Sequence, residues 1–325
     1  MTTPLSVLDL VHVRPGNAIK DAIKNSVAIA QEAERQGITR VWYAEHHNMA
    51  TIASSATAVL IGHVANHTTS IRLGSGGIML PNHSPLVIAE QFGTLATIHG
   101  DRIDLGLGRA PGTDQMTMRA LRRSNAAADT FPQDVLELQS YLGSERKDSD
   151  INAYPGRGTE VPLYILGSSH FGAQLAAQLG LPYAFASHFA PTHLETAAKL
   201  YRENYQPSER HPEPYFIAAM NAIAADSTEE AIQEANATFE LRVQALIGRN
   251  RQFSETDKQL LLASPAADQV RTMLQYTATG TGQEVADYIE RFAERVQADE
   301  VITTLASPSG AGQLRTLKLL GAARA

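Results

Sequence analysis

Apolar and polar positions alternate along the chain in blocks that predict strands and helices in turn. Short apolar runs at 39–44, 71–77 and 103–108 have the length and composition of buried strands. Between these runs, the segments 17–36 and 54–66 carry apolar residues at helical spacing. Two of the predicted helices end in glycine directly before the next strand, which is a common helix terminator. The first hundred residues therefore predict a regular strand–helix alternation.

The alternation continues to the end of the chain, although two connections are longer. The connection 109–130 follows the fourth predicted strand, and the segment 249–276, irregular and polar at first, follows the seventh. Eight strands with about eight helices fit a (β/α)8 TIM barrel with insertions in its βα loops. No composition break marks a linker, so residues 1–325 are expected to form one domain. The predicted strands are 5–10, 39–44, 71–77, 103–108, 162–166, 183–186, 215–224 and 300–305.

Composition and charge exclude several classes of protein. The net charge of −7 argues against a nucleic-acid or anionic-membrane partner, because both require basic patches. The chain has no cysteine, which excludes disulfides, thiolate nucleophiles and cysteine metal sites. Neither a signal-peptide pattern nor a run of about 18 apolar residues is present. We expect a cytoplasmic protein that acts on a small molecule.

The second predicted strand ends in three ionisable side chains, Glu45, His46 and His47. Packing gives no reason for this ending, whereas the carboxyl ends of barrel strands carry catalytic groups. Adjacent histidines on an extended segment point to opposite faces, so one loop cannot easily supply both as ligands to a metal ion. We therefore predict a catalytic strand end without a metal.

Two other strand ends carry groups that suit a phosphate. The segment Gly167-Ser168-Ser169 stands directly before a helix, where it offers either free N–H groups and hydroxyls to a phosphate or an ordinary serine cap. Arg109 ends the neighbouring strand and is placed to bind the same phosphate. Arg122 and Arg123 in the following connection could add to it, although at least one of them is expected on the solvated surface.

A pair of glycines, Gly76-Gly77, ends the third predicted strand. Such a pair forms a bulge or tight turn, or it presents bare backbone to a flat ligand. Together with the phosphate-binding groups, the second interpretation predicts a phosphorylated planar cofactor. The segment around Gly106 and Gly108 lacks the third glycine of a dinucleotide-binding fingerprint, because Pro111 replaces it, and no serine-hydrolase motif is present.

In their order and spacing, these segments resemble the bacterial luciferase-like flavin monooxygenases over essentially the whole chain. Within that family, the sequence resembles a little-characterised subgroup and not luciferase itself. Luciferases place a cysteine where this chain has Gly108, and its absence weakens any claim of light emission. They also place a carboxylate where this chain has Ser168, which makes that pocket less acidic. The segments that carry the resemblance are Val41–His47, Leu73–Pro81, Pro85–Glu90, Gly100–Arg109 and Gly167–Ser169.

The resemblance implies an FMN site at the barrel mouth. It assigns the phosphate to Arg109 and the two serines, places the glycine pair along the flavin ring with a cis peptide between the two, and matches His46 to the family's catalytic histidine. His47 is expected to be structural. The cofactor-binding residues that it implies are Glu45, Gly76, Gly77, Gly108, Arg109, Gly167, Ser168 and Ser169.

The resemblance also implies an activity. Reduced FMN, supplied by a separate flavin reductase, would react with O2, and one oxygen atom would pass to an unidentified small organic substrate. The segment 249–276 is expected to close over the site, and the family usually forms homodimers. Two alternatives stay open at this point: an F420-dependent dehydrogenase on the same barrel, and a flavin-binding or scaffold protein without catalysis.

Overall fold

A closed ring of eight parallel strands forms the centre of the molecule, in a computed structural model that describes residues 2–110, 113–144, 151–248 and 253–325. Strands β1 to β7 pair in sequence, and β9 closes the ring between β7 and β1. Helices cover the outside, which confirms the predicted (β/α)8 barrel. The strands are β1 (Leu5–Asp9), β2 (Arg40–Tyr43), β3 (Arg72–Met79), β4 (Ile103–Gly108), β5 (Leu163–Gly167), β6 (Tyr183–Phe185), β7 (Phe216–Ala224), β8 (Thr277–Gly280) and β9 (Glu300–Leu305).

Local sequence signals determine where many of the surrounding helices begin. The sequence Thr281-Gly-Gln-Glu284 has the pattern of a capping box, and this box is formed: the Thr281 hydroxyl accepts from the amide of Glu284, whose carboxylate accepts from the amide of Thr281 at 2.7 Å. Short 3₁₀ helices cover Leu80–Asn82, Gly100–Arg102 and Asn125–Ala128. The α-helices are α1 (Ile19–Arg35), α2 (Thr57–Ala65), α3 (Pro85–His99), α4 (Gln115–Ala120), α5 (Phe131–Leu142), α6 (His170–Leu179), α7 (Leu194–Glu203), α8 (Thr228–Gly248), α9 (Glu255–Leu262), α10 (Pro265–Met273), α11 (Gly282–Val296) and α12 (Gly310–Arg324).

The connection between β7 and β9 is more regular than the sequence predicted. The segment 249–276, expected to be irregular at first, contains α9 and α10 in its described part, and residues 249–252 lie outside the described residues. The chain then adds β8, which the sequence did not predict. This strand pairs in parallel with the last four residues of β7, beyond the closed ring. Among the described residues, every helix falls short of the length or apolar character that a membrane crossing requires.

Buried charges close the barrel interior at the amino ends of the strands, and we call this group the basal cluster: Arg40, Asp104, Glu300 and their partner Tyr164. Arg40 donates to Asp104 Oδ2 at 2.8 Å, to Glu300 Oε2 at 3.0 Å and to the Tyr164 hydroxyl at 2.7 Å. Trp42 Nε1 also donates to Asp104, at 3.1 Å. The two carboxylates are fully buried and Arg40 is 6% exposed, so each charge is neutralised by direct contact inside the barrel.

Candidate functional site

Glu45 lies at the carboxyl end of β2 and joins two loops of the barrel mouth. Its Oε1 is 2.8 Å from His47 Nε2 and 2.7 Å from His83 Nε2, and its Oε2 accepts from the backbone N–H of Met79 at 3.2 Å. Burial raises the pKa of Glu45, but the hydrogen bonds of the two histidines outweigh it and hold the pKa below its usual value. The carboxylate is therefore ionised and fixes the loops after β2 and β3.

The same hydrogen bond raises the pKa of His47, since it favours the protonated ring beside the carboxylate. His47 is bonded within its own loop, as the sequence led us to expect. The sequence did not pair His83 with Glu45. Ligand atoms of Glu45, His47 and His83 lie within 4.8 Å of one another, and both histidines hydrogen-bond to the carboxylate of Glu45.

His46 points away from this group and is differently placed. Its backbone N–H donates to the carbonyl of Ser54 at 3.0 Å, which holds the loop, while its buried Nδ1 has no partner among the described residues. Burial lowers the pKa of His46 below its usual value, and the charge of Glu45 opposes this only in part. His46 is therefore a neutral imidazole at neutral pH with a ring nitrogen available for proton transfer.

A second neutral imidazole, His188, lies near His46. The sequence places His188 after the sixth strand, but no motif distinguishes it there. It is 7% exposed, and its Nδ1 also lacks a partner within the described part of the chain. Burial lowers the pKa of His188 to about 3, and the positive charge of Arg242 acts in the same direction.

Asn221, buried in β7, connects this histidine to α8. Its amide donates to the carbonyl of His188 at 2.9 Å, and its Oδ1 accepts from Thr304 Oγ1 at 2.6 Å and from Arg242 Nη2 at 3.3 Å. Sequence reasoning missed Arg242. The available signal was its position four residues after the buried Thr238, on the same helical face.

The predicted phosphate-binding groups lie at the ends of β4 and β5. Arg109 is exposed, its guanidinium carbon lies 4.0 Å from the centre of the Phe171 ring, and it forms no ion pair with any described residue. Ser169 occupies the cap position of α6, yet its hydroxyl makes no cap hydrogen bond. Ser168, half-buried, precedes it. Because these donors are not used in an ordinary cap or ion pair, the set fits a phosphate at the start of α6.

Only one member of the neighbouring arginine pair contacts this mouth. Arg123 Nε donates to the carbonyl of Asn82, in the loop after β3, at 3.2 Å. Arg122 is exposed and has a positive φ of 56°. This difference agrees with the expectation that at least one of the two belongs to the solvated surface.

The peptide bond between Gly76 and Gly77 is cis, and the register of β3 against β4 shifts between Ser75 and Ile78. A Cβ on Gly77 would lie 2.6 Å from the carbonyl oxygen of Gly106, and one on Gly76 would lie 2.7 Å from Leu8 Cδ1. Strand packing thus requires both glycines, and the bulge interpretation is confirmed.

The other two predicted glycine positions differ in how closely they are packed. A Cβ on Gly108 would lie 3.0 Å from Met79 Sδ, so the Met79 side chain would have to shift slightly to accept one. A Cβ on Gly167 would meet the Tyr183 hydroxyl at an ordinary 3.7 Å. All the predicted cofactor positions lie at the ends of the adjacent strands β2 to β5.

Comparison with known proteins identifies relatives over nearly the full chain. A family model described as luciferase-like monooxygenase matches residues 3–299. A luciferase-like monooxygenase of Escherichia coli (strain K12) is 54% identical over 231 residues, which are 71% of this chain and 69% of that protein. N-acetyl-S-alkylcysteine monooxygenase of Bacillus subtilis (strain 168) is 30% identical over 307 residues, 92% of this chain and 91% of its own. The crystal structure of apo-MsnO8 superposes with a TM-score of 0.89 at 30% identity, covering 99% of this chain and 97% of that one.

Proposed function

The chain belongs to the luciferase-like monooxygenase family, and from this premise we propose that it is an FMN-dependent monooxygenase that oxidises a small organic substrate. The observation that carries the proposal is the pairing of two groups at one barrel mouth. The first group consists of hydrogen-bond donors for a phosphate at the ends of β4 and β5, which are not used in a helix cap or an ion pair among the described residues. The second is His46 after β2, a neutral imidazole whose Nδ1 has no partner among the described residues.

The residues divide the work as follows. Arg109, Ser168 and Ser169 hold the FMN phosphate, while the backbone at Gly76–Gly77, Gly108 and Gly167 lines the cofactor. Glu45 acts on the same surface indirectly, because its carboxylate fixes the Met79 amide and the loop beside it. When bound, reduced FMN supplies the electrons that activate O2, and a separate flavin reductase supplies the reduced cofactor.

His46 is the catalytic residue in this proposal. A neutral imidazole accepts a proton at neutral pH, and the unpartnered Nδ1 of His46 is the atom that can do so. His188 stands beside it as a second neutral ring. A charged ring in this place would repel a protonated His46 and hinder its protonation. Because the pKa of His188 is low, its ring stays neutral and does not oppose the protonation of His46.

The homodimer remains a prediction.

Titration of the protein with FMN and with F420, followed by flavin fluorescence, tests the cofactor. We expect FMN to bind and Arg109→Gln to weaken it roughly 10- to 100-fold, the effect of losing a charge-assisted contact. Arg119→Gln, an exposed arginine of α4 in the same connection, is the matched control and should bind FMN as the wild type does. Tight binding of F420 with no binding of FMN would overturn the cofactor assignment.

Turnover is tested with photoreduced FMN, ¹⁸O₂ and N-acetyl-S-methylcysteine, a member of the compound class named for the Bacillus relative. A monooxygenase places one labelled oxygen atom in the product. Hydride transfer without label in any product would instead favour a dehydrogenase.

A further inference from the structure

A cavity of 380 Å³ opens at the barrel mouth between the ends of β1 and β9 and helix α8. Its volume is in the range of sites that bind small organic molecules. The wall is mainly apolar, so the cavity suits a molecule with a sizeable apolar part. The apolar wall includes Leu10, Ile52, Leu241, Leu305, Ala306 and Pro308.

Arg242 brings a positive charge into this wall. It is half-buried, and burial lowers its pKa, although a guanidinium remains charged at neutral pH. Its polar contact within the described part of the chain is the 3.3 Å bond from Nη2 to Asn221, a neutral amide. A cation that is partly removed from water and faces no anion is favourable only if an anion joins it.

The other charged groups of the cavity do not meet this need. Arg14 is occupied, because its Nε donates to the carbonyl of Pro308 at 2.7 Å and its Nη2 to that of Ser307 at 3.3 Å. Asp9 is buried: its Oδ1 accepts from the Val11 amide at 2.8 Å, and burial raises its pKa. No ion pair joins Asp9 to Arg242 among the described residues.

Arg242 is also tied to the proposed reaction site. Asn221 holds both the guanidinium of Arg242 and the carbonyl of His188, and the positive charge of Arg242 lowers the pKa of His188. An anion bound at Arg242 would therefore lie next to the two neutral imidazoles. A molecule of moderate length could reach from this anion to the reaction site.

Resting on the proposed function, we propose that the organic substrate is an amphipathic carboxylate. Its carboxylate pairs with Arg242, and its apolar part occupies the cavity beside α8. Asn221 is the positioning residue that aims the guanidinium. The N-acetyl-S-alkylcysteines named for the Bacillus relative combine a carboxylate with an apolar thioether and belong to this chemical class.

Calorimetric titration with octanoate and with its neutral amide, octanamide, tests the proposal without FMN or turnover. We expect the wild type to bind octanoate at least about tenfold more tightly than octanamide, because a charge-assisted contact is lost in the amide. Arg242→Gln should remove this preference while keeping octanamide binding, and Arg242→Lys should retain part of it. Arg271→Gln, an exposed arginine packed beside α8, is the matched control and should leave the preference unchanged.

Equal affinity for octanoate and octanamide in the wild type would overturn the proposal. It would also fall if the preference survived in Arg242→Gln, or if the wild type bound neither compound at millimolar concentration. Circular dichroism of each variant separates loss of the anchor from loss of the fold. Failure of FMN to bind would overturn the proposed function alone, since this titration does not involve the cofactor.

Discussion

The two ends of the barrel treat buried polar groups in opposite ways. In the basal cluster, Arg40 contacts two carboxylates and a phenol directly, and both carboxylates are completely buried. At the mouth, the Nδ1 atoms of His46 and His188 lack partners among the described residues, and Arg242 faces a neutral amide.

This difference separates stability from function along one axis of the molecule. A buried polar group without a partner costs free energy, so its retention at one end points to a use that packing does not supply. Pairing of charges at the other end closes the barrel floor. The contrast agrees with the general division of such barrels, whose carboxyl strand ends act and whose amino strand ends stabilise.

The largest effect is expected at the basal cluster. Arg40→Leu leaves Glu300 buried without its cation and Asp104 with Arg72 as its remaining cation, and the free energy of unfolding should fall by about 3–5 kcal/mol. Urea denaturation followed by circular dichroism measures it. Arg271→Leu, which breaks the exposed pair with Asp268, should cost about 1 kcal/mol or less. Equal urea midpoints for the two variants would contradict the assignment of stability to the barrel floor.

At the mouth, the corresponding substitution should spare stability and remove activity. His46→Ala is expected to lower kcat by at least about 100-fold, the usual contribution of a general acid or base, with FMN affinity nearly unchanged. Steady-state oxygenation with reduced FMN measures it. The control is His67→Ala, an exposed histidine after α2. If His46→Ala retained full turnover, His46 would have no part in the chemistry.

The third prediction concerns the pH dependence of stability. The ordinary pKa of histidine is 6.5, and that of His188 in the folded protein is about 3. Between these two pH values, His188 is protonated in the unfolded chain and neutral in the folded protein. Unfolding free energy therefore falls on acidification through this window, by at most about 1.4 kcal/mol per pH unit from this group.

His188→Leu should flatten that part of the profile, measured as urea midpoints at pH 5, 6 and 7. Comparison with wild type at each pH cancels the contribution of the carboxylates. Parallel profiles for the two proteins would show that His188 does not resist protonation in the folded state.

The sequence predicted what depends on local pattern. Hydrophobic periodicity located all eight barrel strands, and a four-residue motif located the start of α11 at Thr281. It also placed Glu45, Arg109 and the two serines at strand ends that share one mouth. These inferences succeed because a parallel barrel converts position along a strand directly into position in space.

Contacts that depend only on how distant elements pack could not be predicted from the sequence. Arg242 comes to the mouth only because α8 lies against β7, nearly 200 residues after His46, and His83 meets Glu45 only through the turn after β3. Strand β8 is four residues long and contains two threonines, so the sequence has no apolar run that would predict it. Its pairing with β7 supplies the stability that its own sequence does not.

The pairing of β7 with β8 has a consequence for how a segment of this chain could be exchanged by recombination. The chain leaves the barrel after Ala224 and returns at Thr277, and both points lie on neighbouring hydrogen-bonded strands, β7 and β8. The cavity wall formed by α8, with Arg242, belongs to the excursion between them, whereas His46, His188 and Arg109 do not. Recombination confined to codons 225–276 would thus exchange the α8 part of the cavity wall and leave His46, His188 and Arg109 in place.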